Sequence, residues 1–263
     1  MSNIPGAFII RKLHSFVGFW LVLFLFEHLL TNSQAALYFA DHESGFVYMV
    51  NAIQAIPYLH VIEIILLGFP LLIHMLWGFV QMRSAKYNVF PSNGTKPFLW
   101  KNARNRAYTW QRISAWILAV GIIGHVVQMR FLDYPSITTS LGQEKYVVRV
   151  HKDEGLKALA TKLHVELYDK EKNQVVAVTN SFGVASLLSV RDTFKNPFFA
   201  WIYSAFVLSA IFHAANGLWT CLISWGITIT ERSQTLSKRF CIGFMILLGY
   251  FGFSSIWGVY FFA

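Results

Sequence analysis

Charge is scarce in this chain: only 13% of its 263 residues are Asp, Glu, Lys or Arg, against about a quarter in an ordinary soluble domain. With 55% hydrophobic residues and a mean hydropathy of +0.46, that shortage excludes a water-soluble globular fold and implies an integral membrane protein. Cysteine is nearly absent. Cys221 and Cys241 have neither metal-ligand nor redox spacing, so they support no iron–sulfur cluster or disulfide and read as small packing residues. The chain also lacks a dinucleotide-binding glycine fingerprint. Its 13 acidic residues are outnumbered by 22 basic ones, for a net charge of +9. The basic residues cluster beside apolar runs rather than along a helix face interleaved with aromatics, which points to membrane topology and away from nucleic acid.

Five apolar stretches are long enough to cross a hydrocarbon core of about 30 Å, which takes roughly 20 residues. They predict an all-α fold in a single membrane domain, with helices over about 16–37, 58–82, 108–130, 198–225 and 240–262. The first follows Arg11 and Lys12. It is too long for the apolar core of a signal peptide and has no clean small-residue cleavage site, so it is expected to remain as a mature helix. The 38–57 loop has no Lys or Arg. The 83–107 loop has Arg83, Lys86, Lys96, Lys101, Arg104 and Arg106, and Arg232, Lys238 and Arg239 precede the last span. This asymmetry predicts a cytoplasmic N-terminus and an external C-terminus. The 131–196 segment is then an external loop, and its nine Lys and Arg are no objection, since loops beyond about 60 residues translocate largely regardless of charge. KYVVRV, HVELYD and QVVAVT alternate as strands do and predict a small hairpin there. Trp110, Trp225, Trp257 and Tyr260 near the span ends fit interfacial belts in the lipid bilayer.

Four of the nine histidines lie deep inside spans, one on each of the first four: His28, His74, His125 and His213. An ionisable group at that depth is a functional signal by default. His28 follows Lys12 by 16 residues, His74 follows Pro57 by 17, His125 follows Trp110 by 15 and His213 follows Pro197 by 16. Successive spans run in opposite directions. A rise of about 1.5 Å per residue therefore puts His28 and His125 roughly 23 Å from the cytoplasmic edge, and His74 and His213 roughly 25 Å from the external one. Two pairs result, one near each face. Facing neutral imidazoles hold haem iron, and bundle cores are where such cofactors sit, so the first four spans are expected to form a dihaem four-helix bundle. With both axial positions filled by protein, such a haem transfers electrons rather than binding oxygen. Gly78, Gly121 and Gly217, each four residues from a histidine, would make room for a porphyrin. Interhelical hydrogen bonding explains a single buried histidine equally well, but four at matched depths on successive spans are much harder to obtain that way.

Glu63 precedes His74 by 11 residues, three turns of an α-helix, and is therefore expected on the same inward face, about 9 Å from the external edge. With His60 three residues earlier it forms a candidate quinone and proton site, because quinone reduction takes up protons along with electrons. Glu27 faces away from His28 and is the weaker choice. Arg11, His14, Arg83, Gln111 and Arg112 at the cytoplasmic side, and Arg130 outside, are expected partners for haem propionates, which suit an arginine fork.

RKLHSFVGF at 11–19, EHLL at 27–30, EIILLGFPLLIHMLWG at 63–78, WQRISAWI at 110–117, and IFHAANGLW with SWGITITERSQ at 211–234 resemble the single-chain, five-helix dihaem cytochrome b anchors of bacterial succinate:quinone oxidoreductases. The resemblance implies two haem b, the outer held by His28 and His125 and the inner by His74 and His213. It implies menaquinone as the electron acceptor, and flavoprotein and iron–sulfur subunits of succinate dehydrogenase as cytoplasmic partners. The bacterial cytoplasmic membrane would be its location, and succinate would be oxidised elsewhere in the complex. The long 131–196 segment departs from the family pattern. Alternatives are the anchor of a fumarate reductase or of another quinone-linked dihaem enzyme and, in a different class, a proton-coupled transporter. The last would have broken helices or repeat symmetry, which the sequence does not display.

Overall fold

The computed structural model describes residues 5–36, 45–83, 87–91, 94, 98–140, 142–171 and 173–262. Lys86, Lys96 and most of the 38–57 loop's first half lie outside them. Among the described residues, five helical spans are long and apolar enough to cross a membrane: Gly6–Ala36, Leu59–Met82, Ala103–Leu132, Pro197–Ser224 and Glu231–Phe262. Large apolar side chains such as Ile64, Phe69, Leu76, Val120 and Ile246 stay exposed on them. A water-facing surface would not carry so much exposed apolar area, and hydrocarbon accommodates it. The chain is a mostly helical, multi-pass membrane protein.

The first span is helix α1 (Gly6–Ser33), and a short helix α2 (Phe46–Gln54) follows it. The second span is α3 (Leu59–Glu63) and α4 (Phe69–Met82) joined by a π-helical segment, Ile64–Gly68. The third is α5 (Ala103–Val126) continued by a second π segment, Val127–Leu132. Wider π turns displace backbone bonds from the regular ladder and collect at functional sites.

Between the third and fourth spans the expected hairpin is a larger structure. Strands β1 (Ser136–Ser140), β2 (Gln143–His151), β3 (Glu166–Glu171) and β4 (Gln174–Thr179) form an antiparallel sheet in the order β1-β2-β4-β3, with helices α6 (Glu154–Lys162) and α7 (Phe182–Lys195). The three alternating stretches are indeed β2, β3 and β4. Val148 and Val150 of β2 pair with Ala177 and Val175 of β4 on one face, and all four are buried together with Leu156 and Leu159 of α6 and Leu187 and Leu188 of α7. Each such leucine stabilises by about 1.5–3 kcal/mol. Both helices begin where the sequence supplies a cap: Asp153 accepts from the amides of Gly155 and Leu156, and Ser181 from that of Val184. Arg191, 2% exposed, donates to the same Asp153 at 2.6 Å. Burial alone would raise the Asp153 pKa, but the Arg191 hydrogen bonds and charge and the two amides outweigh it and hold the carboxyl below its ordinary value. α2 docks on α7. Asn51 accepts from the Gly183 amide at 2.8 Å, and a Cβ at Gly183 would lie 2.6 Å from the Val47 carbonyl oxygen, so only glycine permits that approach.

The fourth span is α8 (Pro197–Ser224). The last comprises α9 (Glu231–Phe253), a third π segment, Ser254–Gly258, and α10 (Val259–Phe262). The chain divides into two compact units: Met1–Phe26, His60–Gly121 and Leu208–Gly249 in the first, and Glu27–Leu59, Ile122–Val207 and Tyr250–Ala263 in the second.

Candidate haem sites

Each unit contains one histidine pair. In the first, His74 of α4 faces His213 of α8 with ring centroids 6.3 Å apart and planes at 80°. In the second, His28 of α1 faces His125 of α5 at 5.8 Å and 78°. These are the two pairs predicted from depth. A metal held between two imidazole nitrogens at about 2 Å each puts the ring centres roughly 6 Å apart, so both pairs already have the spacing of a bis-histidine haem. Among the described residues no group of three or more His, Cys, Asp or Glu side chains gathers as a ligand set for a bare ion.

The surroundings of the first pair are built from neighbouring helices. Ser114 of α5 places its hydroxyl 3.2 Å from Nδ1 of His213 and donates to the Gln111 carbonyl at 3.1 Å. Gln111, expected near propionates, instead laces α5 to α8: its amide donates to the His213 carbonyl at 3.1 Å and accepts from Asn216 at 2.8 Å. His14 of α1, also expected among the propionate partners, lies flat on His74, with centroids 4.1 Å apart and planes at 7°. Room for the His74 ring comes from Gly18, where a Cβ would stand 3.0 Å from its Cε1. The glycines singled out from sequence contribute less: a Cβ at Gly78 would meet nothing within 4 Å, and one at Gly217 would touch only Gln111. In the π segment, the Leu66 carbonyl accepts from the Trp20 indole at 2.6 Å, satisfying a backbone group that lipid could not.

In the second unit, Tyr203 of α8 places its hydroxyl 3.3 Å from Nδ1 of His125 and donates to Gln128 Oε1 at 3.1 Å. The Gln128 amide nitrogen donates to Thr193 Oγ1 at 3.5 Å, and that hydroxyl donates to the Ser189 carbonyl at 3.0 Å. The chain of bonds thus runs from a histidine ring into α7. Glu27 accepts from Thr31 at 2.7 Å.

The arginines are placed more loosely. Arg112 lies over the Tyr108 ring, 3.2 Å from its centroid, and borders a cavity of about 310 Å³ that Arg104, Tyr108, Gln111, Asn216 and Trp219 also line. Nε of Arg112 is buried without a hydrogen-bond partner. Arg11 donates to the Ala7 carbonyl of its own helix at 3.2 Å. Arg130 lies over Tyr134 at 4.6 Å.

Glu63 and His60 share a face as expected, with Oε2 3.5 Å from Nδ1. The regular α-helical spacing behind the expected alignment of Glu63 with His74 is interrupted. The π segment Ile64–Gly68 lies between them, and a π turn accommodates about one extra residue, roughly 100° of rotation on a helix. The side chains of His60 and Glu63 are 62% and 38% exposed.

Ser114, Tyr203, Gln128 and Gly18 were not among the sequence-based candidates. Each is an unremarked residue in an apolar run, and only the pairing of helices shows that Ser114, Tyr203 and Gly18 meet a histidine and that Gln128 meets Tyr203. Comparison with known proteins adds two similarities. The profile of a family described as "MDM10-complementing protein 1, transmembrane domain" matches residues 23–134. No solved structure matches the chain. The chain is 27% identical over 250 residues, 95% of each sequence, to the succinate dehydrogenase cytochrome b558 subunit of Bacillus subtilis (strain 168).

Proposed function

We propose that this chain is the membrane-anchor cytochrome b subunit of a succinate:quinone oxidoreductase in a bacterial cytoplasmic membrane, carrying two haem b between an iron–sulfur subunit and menaquinone. The observation that carries this reading is the pair of facing imidazole couples at haem spacing, 6.3 and 5.8 Å. The near full-length similarity to a succinate dehydrogenase cytochrome subunit supports it.

His74 and His213 would hold one haem and His28 and His125 the other; when bound, haem b would supply one-electron transfer. The protein's own work is orientation and exclusion of water. Ser114 and Gln111 fix His213 against α5, and Gly18 leaves His74 its space. Arg112, which with Arg104 lines a cavity, suits a propionate. The excess of Arg and Lys in 83–107 and just before the last span favours a cytoplasmic N-terminus. That orientation would put the cavity toward the flavoprotein and iron–sulfur partners and the sheet-bearing segment outside. Glu63 Oε2 and His60 Nδ1, close together and accessible from outside the protein, would exchange protons with a quinone arriving through the bilayer.

The test is purification of the chain with its neighbours from a native membrane. Flavin- and iron–sulfur-containing subunits should accompany it, and succinate should reduce its haem absorption in the presence of that assembly. A haem-containing chain that copurifies with neither partner and that succinate leaves oxidised would overturn the assignment.

A further inference from the structure

We infer that Ser114 and Tyr203 are positioning residues, each fixing the tautomer and ring plane of one axial histidine, and that the Tyr203 clamp is anchored in the sheet-bearing segment. This rests on the haem reading above. A neutral imidazole that gives Nε2 to iron must carry its proton on Nδ1, and the group that accepts this proton's hydrogen bond sets the ring's orientation.

The direction of the hydrogen bonds follows from the available protons. A hydroxyl has a single hydrogen. That of Ser114 goes to the Gln111 carbonyl, which can only accept. Its oxygen therefore receives the Nδ1–H of His213. Tyr203 behaves in the same way. Its hydrogen goes to Gln128 Oε1, so its oxygen receives the Nδ1–H of His125. Gln128 is itself oriented, because its amide nitrogen donates to Thr193 and Thr193 donates to Ser189. With the Gln128 amide so oriented, every donor in this series has an acceptor. Both arrangements leave Nε2 unprotonated and hold the rings nearly perpendicular to their partners, at 80° and 78°.

The two clamps differ in reach. Ser114 acts through its own helix. The Tyr203 series ends in α7, whose Thr193 is 5% exposed, so the segment that interrupts the membrane spans contributes to the placement of His125. Donation from Nδ1–H makes an imidazole a stronger ligand and favours ferric over ferrous iron. Losing the acceptor should therefore raise the midpoint potential of that haem alone.

The experiment uses the intact membrane complex, with haem content, low-temperature electron paramagnetic resonance of the oxidised haems and an optical redox titration measured on each variant. S114A should keep both haems, alter the anisotropy of one low-spin signal and shift that haem's midpoint upward. S114T, which keeps a hydroxyl, should restore both. Y203F should do the same to the other haem, and T193V should move that second haem in the same direction by less. Both haems present with signals and midpoints unchanged in S114A and Y203F would overturn the inference, as would both haems moving together in either variant. Loss of a haem in S114A that S114T fails to restore would also count against it. Absence of haem from the unmodified chain would instead overturn the haem reading itself.

Discussion

The two histidine pairs have nearly the same spacing and ring angle, yet they are held by different means. His74 and His213 are fixed by helices close at hand: a serine on α5, a stacked histidine on α1 and the missing side chain of Gly18. His125 is fixed by a tyrosine whose bonds continue through Gln128 into α7, a helix that also packs on a sheet. The same ligand geometry can thus be built from span packing alone or be made dependent on a folded insertion. The second kind couples a histidine pair to the stability of a part outside the spans.

The comparison breaks most completely at the ligands. H213L should halve the haem content per chain and spare the other haem, and H125L should do the reverse; a pyridine haemochrome assay on each purified variant checks this. A Cβ already 3.0 Å from His74 makes G18V the next largest effect, with haem occupancy reduced several-fold at the first pair only. Equal loss at both pairs in G18V would show that they are not separately built.

Arg191 sharpens the difference from the other side. Removing one partner of a buried ion pair costs about 3–5 kcal/mol, and solvent screening of the partly exposed Asp153 reduces this to about 2–4 kcal/mol in R191A. The loss should appear as faster proteolysis of the 134–196 segment and as a changed signal from the His125 haem, with the His213 haem untouched. The pH dependence follows from the depressed Asp153 pKa. The stabilisation it provides is fully present above the ordinary carboxylate value of about 4 and is lost as pH falls through the lower native value. Proteolytic protection in the parent should therefore fall on strong acidification, and R191A should flatten that fall. The smallest expected effect on the haems belongs to E63Q: quinone reduction slows while both haems and both signals remain, and unchanged turnover would remove Glu63 from the proton path.

The spans and the pairing of the four histidines were legible because hydropathy and depth are local properties of a chain in a bilayer. Span ends were less so. The last helix begins at Glu231 rather than near Phe240, because apolar content marks the hydrocarbon-crossing part and not the polar turns before it. A local signal was present. Thr230 accepts from the Ser233 amide and Ser233 from the Thr230 amide, both at 3.1 Å, a reciprocal cap. The π segments left no comparable mark, and one of them interrupts the helical spacing between Glu63 and His74. The sheet was only partly legible, since β2 lies beside β4 across an intervening helix and strand, and sequence alternation specifies strands without their partners. His14 shows the same limit: sequence suggested it only as a propionate contact, and its stacking on His74 depends on how α1 and α4 meet.

The central claim is tested most directly by counting haem in the unmodified protein. Extraction and quantitation against chain concentration should give two haem b per chain, both low-spin, with two resolved signals. A colourless chain, or one haem per chain in fully loaded material, would contradict the account.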